Sequence, residues 1–202
     1  MAIQLLDIEG AWVVTPTIHG DARGRFLEVY RGSAFHAATG VSLEVAQVNC
    51  SISARGVVRG IHFSDVPPGQ GKYVTCVSGR VLDVIVDIRV GSPTFGRWTV
   101  VVLDDVERRA VYLTEGLGHG FAALADDSTV VYLCTTPYNP RAEHEVNPLD
   151  SDLRIDWQLP SHQIVLSDKD AAAPGLAAAA EAGVLPRYED CLAHRGRTAA
   201  RR

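Results

Sequence analysis

The chain has 202 residues, the length of one ordinary domain, and buries about two-thirds to three-quarters of its unfolded surface without a metal or disulfide staple. Hydrophobic residues at 47% and charged ones at 21% exclude disorder as the main state, and a net charge of −5 argues against a general nucleic-acid binder. Residues 184–202 carry five Arg against Glu189 and Asp190, which leaves about −8 for the body, so an anion bound there must be held by local charges.

Asp7 and Glu9 interrupt the opening residues and no basic segment precedes an apolar one, so no secretory leader is expected. No apolar run reaches the length of a membrane span. Residues 33–39 make a short helix candidate. Runs rich in β-branched and aromatic residues follow at Val57-Val58, 72–78, 81–88, 98–103, 110–113 and 129–136. Turn-formers separate them: Pro67-Pro68-Gly69, Ser78-Gly79, Gly91-Ser92-Pro93, Asp104-Asp105 and Asp126-Asp127. Short strands at this spacing, with no helices between them, predict an antiparallel sandwich or barrel. Ser78-Gly79 predicts a tight hairpin joining two of the strands. An Ala-rich helix candidate at 176–182 stops at Gly183, and the polar, Arg-rich end from 193 to 202 predicts a frayed tail. Cys50, Cys76, Cys134 and Cys191 are widely separated with no C-x-x-C pair, which fits reduced thiols and a cytoplasmic protein.

Alternation assigns faces to these strands. Lys72, Val74, Cys76 and Ser78 share one side; Asp83 and Asp87 lie with Val81 and Ile85; Val130, Tyr132 and Cys134 lie together. If those sides face the inside of a barrel, Lys72, Asp83 and Tyr132 enter one cavity. Buried polar groups without partners are costly, so such a cavity is either a satisfied network or a site.

Jelly-roll metal sites often use His-x-His, a following Glu and a later His. Here Phe63-Ser64 follows His62, and His119 with His144 does not rebuild that set by spacing, so a metal is not expected. Acid–base chemistry is the alternative. His62, close to Arg59 in sequence, becomes a useful base once a carboxylate fixes its tautomer, and Asp168-Lys169-Asp170 lies downstream. A lone His is more often a surface or satisfied core residue. The chain has 17 Arg and two Lys, Lys72 and Lys169, both beside these candidates; a compact ammonium differs from a guanidinium fork, though chance explains two cases equally well. Residues 21–28 fit an Asp-initiated turn running into a strand, with solvated charges. They also fit a fork from Arg23 to a diphosphate beside a stacking face from Phe26.

Taken in order, several weak motifs make a strong series. They are D-x-R-G-x-F-x-E at 21–28, Q-x-N-x-S at 47–51, G-V-x-R-G-x-H-F at 56–63 and P-P-x-Q-x-K-Y at 67–73. G-S-P-T-F-G at 91–96, G-H-G-F at 118–121, Tyr132, Tyr138 with Glu143-His144, and L-S-D-K-D at 166–170 continue it. The series resembles the dTDP-4-dehydrorhamnose 3,5-epimerases, metal-independent cupins of deoxysugar biosynthesis. One departure stands at Gly116-Leu117-Gly118-His119, where the family more often has an aromatic residue and an alanine before the His.

The resemblance implies a mainly β protein: an antiparallel jelly-roll (cupin) barrel with short peripheral helices, one domain over 1–185 and a partly disordered tail over 186–202. It implies dTDP-4-dehydro-6-deoxy-D-glucose as substrate, whose ketone at carbon 4 acidifies the hydrogens on carbons 3 and 5. A base removes one, an enolate forms, and an acid protonates the opposite face, giving dTDP-4-dehydro-L-rhamnose with no cofactor or metal. It makes His62 the base, Asp170 the carboxylate that orients it, Tyr132 the acid, Lys72 the cation beside the enolate oxygen and Asp83 its balancing charge. Arg59 would share the enolate or sugar contact. Arg23, Phe26, Glu28, Gln47, Asn49, His119, Glu143 and Lys169 would line the dTDP-sugar site, with Tyr138 stacked on the thymine. The family's N-terminal strands cross to the partner, so Arg23, Phe26 and Glu28 would complete the neighbour's site in a homodimer. No nucleic-acid or membrane partner is implied. The alternatives are a relative that inverts carbon 3 alone or moves the keto group, a silent nucleotide-sugar-binding jelly roll, and a metal-dependent cupin dioxygenase. Retention of His62, Tyr132, Lys72 and Asp170 together speaks against the silent form.

Overall fold

The computed structural model describes residues 1–200, with side chains to residue 196. In chain order these form β1 (Ala2–Leu5), β2 (Ala11–Thr15), β3 (Ile18–Asp21), β4 (Gly24–Leu27), α1 (Gly32–Thr39), β5 (Gln47–Ser53), β6 (Val58–Ser64), β7 (Lys72–Ser78) and β8 (Arg80–Val86). There follow β9 (Trp98–Asp104), β10 (Ala110–Leu113), β11 (Gly118–Ala123), β12 (Ser128–Cys134), β13 (Glu143–Glu145), α2 (Asp168–Ala171), α3 (Leu176–Glu181) and α4 (Tyr188–Ala200). One sheet runs β1-β2-β10-β7-β12-β5 and the other β13-β6-β11-β8-β9, while β3 and β4 pair with each other. The ladders between these strands are antiparallel, and the architecture is the jelly-roll barrel implied by the sequence. Among the described residues no helix is long and apolar enough to cross a membrane.

Strand alternation sorts the side chains into layers. Val74 and Cys76 of β7, Val81 and Ile85 of β8, and Val130 of β12 meet between the sheets, with Tyr132 packed against them. The intervening residues of β8, Leu82, Val84 and Val86, face outward and are covered by Leu153, Trp157, Leu176, Ala179 and Leu185 of the C-terminal third. Outside the six-stranded sheet, Tyr73 and Tyr112 are sealed by Phe35 of α1, whose ring meets that of Tyr112 edge-on at 5.0 Å. Both faces of β7 and β8 are therefore buried, which is why they read as nearly continuous apolar runs.

Three expectations are corrected. Ser78-Gly79 does not close a hairpin: β7 pairs with β10 and β12, β8 with β9 and β11, and the dipeptide is a corner between sheets. Gly79 takes φ +77 there, and a Cβ on it would lie 2.8 Å from Ser128 Oγ, so only glycine fits the turn. Strands β1 to β3, β5, β11 and β13 were not among the predicted runs. β11 is Gly-His-Gly-Phe-Ala-Ala, poor in strand-favouring residues, and is a strand because β6 and β8 pair with it on both sides.

The third correction is the tail. Residues 188–196 are part of a helix that docks on the body, and the remainder of the expected tail at Arg201-Arg202 lies outside the described residues. Tyr188 donates to Glu9, Arg195 bridges Glu9 at 3.0 Å, and Cys191 is fully buried against the Gly116 turn. Below them Arg89, with no exposure, forks onto Asp87 at 2.8 Å and lies 5.0 Å from the Tyr188 ring. Local composition reads as a frayed end; tertiary contacts make it a helix.

Candidate active site

A cavity of about 150 Å³ opens between the sheets, lined by Gln47, Asn49, His62, Lys72, Tyr132 and Glu143 among others. His62 comes from β6 of the five-stranded sheet and Tyr132 from β12 of the six-stranded one, so imidazole and phenol reach it from different walls. His62 Nε2 lies 2.7 Å from Asp170 Oδ1. Burial pushes the Asp170 carboxyl up, but hydrogen bonds from His62, the Ser167 side chain and the Gly60 backbone outweigh it and hold the group below the usual aspartate range. Asp170 is therefore a carboxylate at neutral pH and can only accept, so Nε2 is the donor in this contact and Nδ1 is the ring nitrogen left free of Asp170. Ser167 caps the single turn of α2 by accepting from the Asp170 backbone N–H, which fixes the carboxylate over β6.

Lys72 begins β7 and is buried. Burial depresses its ammonium pKa, against the pull of Glu143, then Cys134, then Asp83. Asp83 is therefore a minor counter-charge. Its Oδ2 accepts from His119 Nε2 at 2.8 Å, and among the described residues it forms no ion pair with Lys72. His119 stands opposite His62 in the β11–β6 ladder, placing a second imidazole–carboxylate pair beside the first. Gly60 and Gly120 permit that approach: a Cβ on Gly60 would sit 2.6 Å from the Gly120 Cα.

The floor is a chain of amides. The Tyr138 backbone N–H donates to Gln47 Oε1 at 2.8 Å, Gln47 Nε2 to Asn49 Oδ1 at 2.8 Å, and Asn49 Nδ2 to Cys134 Sγ at 3.7 Å. Each link fixes the next amide's orientation. Asn49 also lies opposite Tyr132 in the β12–β5 ladder. Burial lifts the Tyr132 hydroxyl above the usual phenol range, Cys134 and Glu143 adding to the effect while Arg59 and Asn49 oppose it. The phenol therefore keeps its proton at neutral pH, the state an acid needs. Arg59 is exposed on β6 and donates from Nε to Ser53 Oγ at 3.1 Å.

The family model for dTDP-4-dehydrorhamnose 3,5-epimerase matches residues 5–178. A dTDP-4-dehydrorhamnose 3,5-epimerase of Mycolicibacterium smegmatis is 55% identical over 194 residues, covering 96% of this chain and 94% of the relative. The chain belongs to this epimerase family. The solved RmlC epimerase of Mycobacterium tuberculosis superposes with a TM-score of 0.95 at 54% identity, covering 98% of this chain and 99% of that one. A double mutant of ChmJ, a 3′-monoepimerase from Streptomyces bikiniensis, solved in complex with dTDP, superposes with a TM-score of 0.94 at 49% identity over 98% of this chain and 99% of that one.

Of the residues that the epimerase resemblance singles out, the cavity gathers Gln47, Asn49, His62, Lys72, Tyr132, Tyr138, Glu143 and Lys169, with Asp170 behind His62. Arg23, Phe26 and Glu28 stand apart on and just after the β3–β4 ribbon. Arg23, with its side chain 90% exposed, is paired to Asp21 at 2.5 Å; Phe26 is 68% exposed; Glu28 is paired with Arg31. Two lining residues were missed. Gln70, which donates to the Thr136 carbonyl at 3.0 Å, is in the P-P-x-Q-x-K-Y run, two residues before Lys72. Glu145 shares a strand side with Glu143, so period-two alternation was its available signal. In this packing there is no room for a side chain at 118: a Cβ on Gly118 would lie 2.5 Å from Ile61 Cγ2.

Proposed function

We propose that the chain epimerises dTDP-4-dehydro-6-deoxy-D-glucose at carbons 3 and 5, giving dTDP-4-dehydro-L-rhamnose. The observation that carries this is the common cavity: an imidazole polarised by a carboxylate enters from one sheet, and a protonated phenol enters from the other. His62 removes the hydrogen next to the ketone through the nitrogen that Asp170 leaves free, and Asp170 stabilises the imidazolium. Lys72 faces the developing enolate oxygen, a preplaced charge in a site shielded from water. Tyr132 returns a proton from the far side. Arg59 shares the enolate or sugar contact; Gln47, Asn49, His119, Glu143 and Lys169 line the dTDP-sugar site, Lys169 meets the diphosphate, and Tyr138 stacks on the base.

The working unit is proposed to be a cytoplasmic homodimer with the activity in residues 1–185. Val48 and Ile52, on the outward side of edge strand β5, are 58% and 65% exposed, and with Phe26 they offer apolar surface that a second copy would cover. The β3–β4 ribbon is a two-stranded sheet, marginal when alone, and would reach the neighbour's site with Arg23, Phe26 and Glu28.

Inversion of carbon 3 alone is the second reading, supported by the 3′-monoepimerase among the relatives. Proton NMR of the product formed in deuterated water, trapped by a downstream reductase, counts the exchanged positions: two for the proposed reaction, one for the second reading. In the same assay His62→Asn should abolish deuterium wash-in while dTDP still binds, whereas Tyr132→Phe should retain exchange and lose net inversion. Exchange at the wild-type rate in His62→Asn would overturn the base assignment, and complete loss of exchange in Tyr132→Phe would overturn the order of steps.

A further inference from the structure

Glu145 has no part in the acid–base scheme, yet its carboxylate forms an ion pair with Lys169 at the cavity wall. Its side chain is 15% exposed and that of Lys169 59% exposed, so the carboxylate is the fixed member and the ammonium, on its flexible four-carbon stem, the movable one. The ladder sets the carboxylate's place: Glu145 stands opposite His62 and Glu143 opposite Ser64. Lys169 belongs to the single turn of α2, next to Asp170. Its hydrogen bond to Glu145 is the main cause of a raised pKa, so the ammonium stays charged and engaged at neutral pH. An anion entering here meets two carboxylates, Glu143 and Glu145, with Lys72 buried deeper and Lys169 already committed.

We infer that Glu145 is a positioning residue that acts through Lys169, holding the ammonium at the cavity wall and releasing it to the diphosphate of a bound nucleotide. This rests on the proposed function, which supplies the diphosphate. A pair whose cation is this exposed contributes little by itself, so a diphosphate, which forms stronger charge-assisted bonds, displaces the carboxylate. Nucleotide affinity is then set by an exchange of partners rather than by a waiting cation. That fits a body whose net charge is negative and which must hold an anion by local placement.

Titration calorimetry with dTDP and with uncharged thymidine tests this on the full chain. Glu145→Gln should bind dTDP about three- to fivefold tighter than wild type, the size expected for removing a partly exposed competitor. Thymidine affinity should not change, and Glu145→Asp, which keeps the pair, should remain near wild type. In a Lys169→Met background the gain from Glu145→Gln should vanish, since the competitor then has nothing to hold. Persistence of the full gain in that background would overturn the inference in favour of simple repulsion, and so would unchanged or weaker dTDP binding by a folded Glu145→Gln variant. Failure of the wild-type chain to bind dTDP at all is a different result: it would overturn the proposed function, and this inference with it.

Discussion

Lys72 lies in a buried position, and burial disfavours its charged form. Its ammonium pKa lies below the usual lysine value of 10.5 because burial outweighs Glu143, Cys134 and Asp83. The unfolded chain therefore binds this proton more tightly, and stability at this residue rises with pH in the interval just below 10.5. Lys72→Met should hold or raise the thermal midpoint while cutting wash-in of deuterium by at least about a hundredfold, since the charge serves the enolate and not the core. A midpoint lowered together with exchange would instead mark Lys72 as structural. Asp170 shifts stability in the same direction with pH, although here the fold favours the charged form. Its pKa lies below the usual 3.8, so its contribution is present above that value and lost as pH falls through the lower, folded one. Asp170→Asn should cost about 2 kcal/mol near neutral pH, the worth of hydrogen bonds to a charged group, and the gap should close on acidification; denaturant midpoints at pH 7 and pH 3 measure it. Lys72 and Tyr132 were legible as inward-facing residues from strand alternation, whereas the roles of base and acid came only with the family resemblance. The real partner of Asp83 was not, because His119 reaches it across a ladder that no local pattern specifies.

Strands that lack strand-forming residues explain what was missed at the level of elements. β7 and β8 announce themselves by β-branched runs, whereas β11 is two-thirds glycine and alanine and borrows its conformation from two neighbours. Its glycines are steric necessities of those neighbours. At 118, Ile61 Cγ2 fills the place that a Cβ would take. Gly118→Ala should destabilise the fold by about 1–3 kcal/mol through overpacking. Adding Ile61→Leu, which removes the branch at Cβ, should recover most of that loss. Thermal midpoints of the two single variants and the double test the pairing; additive losses would show that residues 61 and 118 do not share the space. The same logic covers Ser78-Gly79, where the dipeptide signals a turn but only the partners of β7 and β8 decide that the turn changes sheets.

The whole molecule poses a question that one chain cannot answer from its own contacts. Residues lining the cavity come from β5, β6, β7, β12, β13 and the segments near them, while Arg23 and Phe26 project into solvent on the β3–β4 ribbon. If each ribbon completes the neighbour's site in a closed two-fold dimer, one functional unit draws residues from two chains. Two inactive variants then rescue each other. His62→Asn removes the base but keeps an intact ribbon; Arg23→Ala keeps the base but lacks the diphosphate contact. In a mixed dimer, the Arg23→Ala barrel receives the ribbon of the His62→Asn chain and becomes complete, while the other site lacks both groups. Random reassociation of equal amounts makes half the dimers mixed, each with one intact site, so about a quarter of the wild-type activity should return. Unfolding and refolding the two variants together, with each refolded alone as control, measures this. A mixture no more active than its parts would place Arg23 and His62 of one chain in the same site, or the ribbon outside any site, and the exposed Phe26 would then need another explanation.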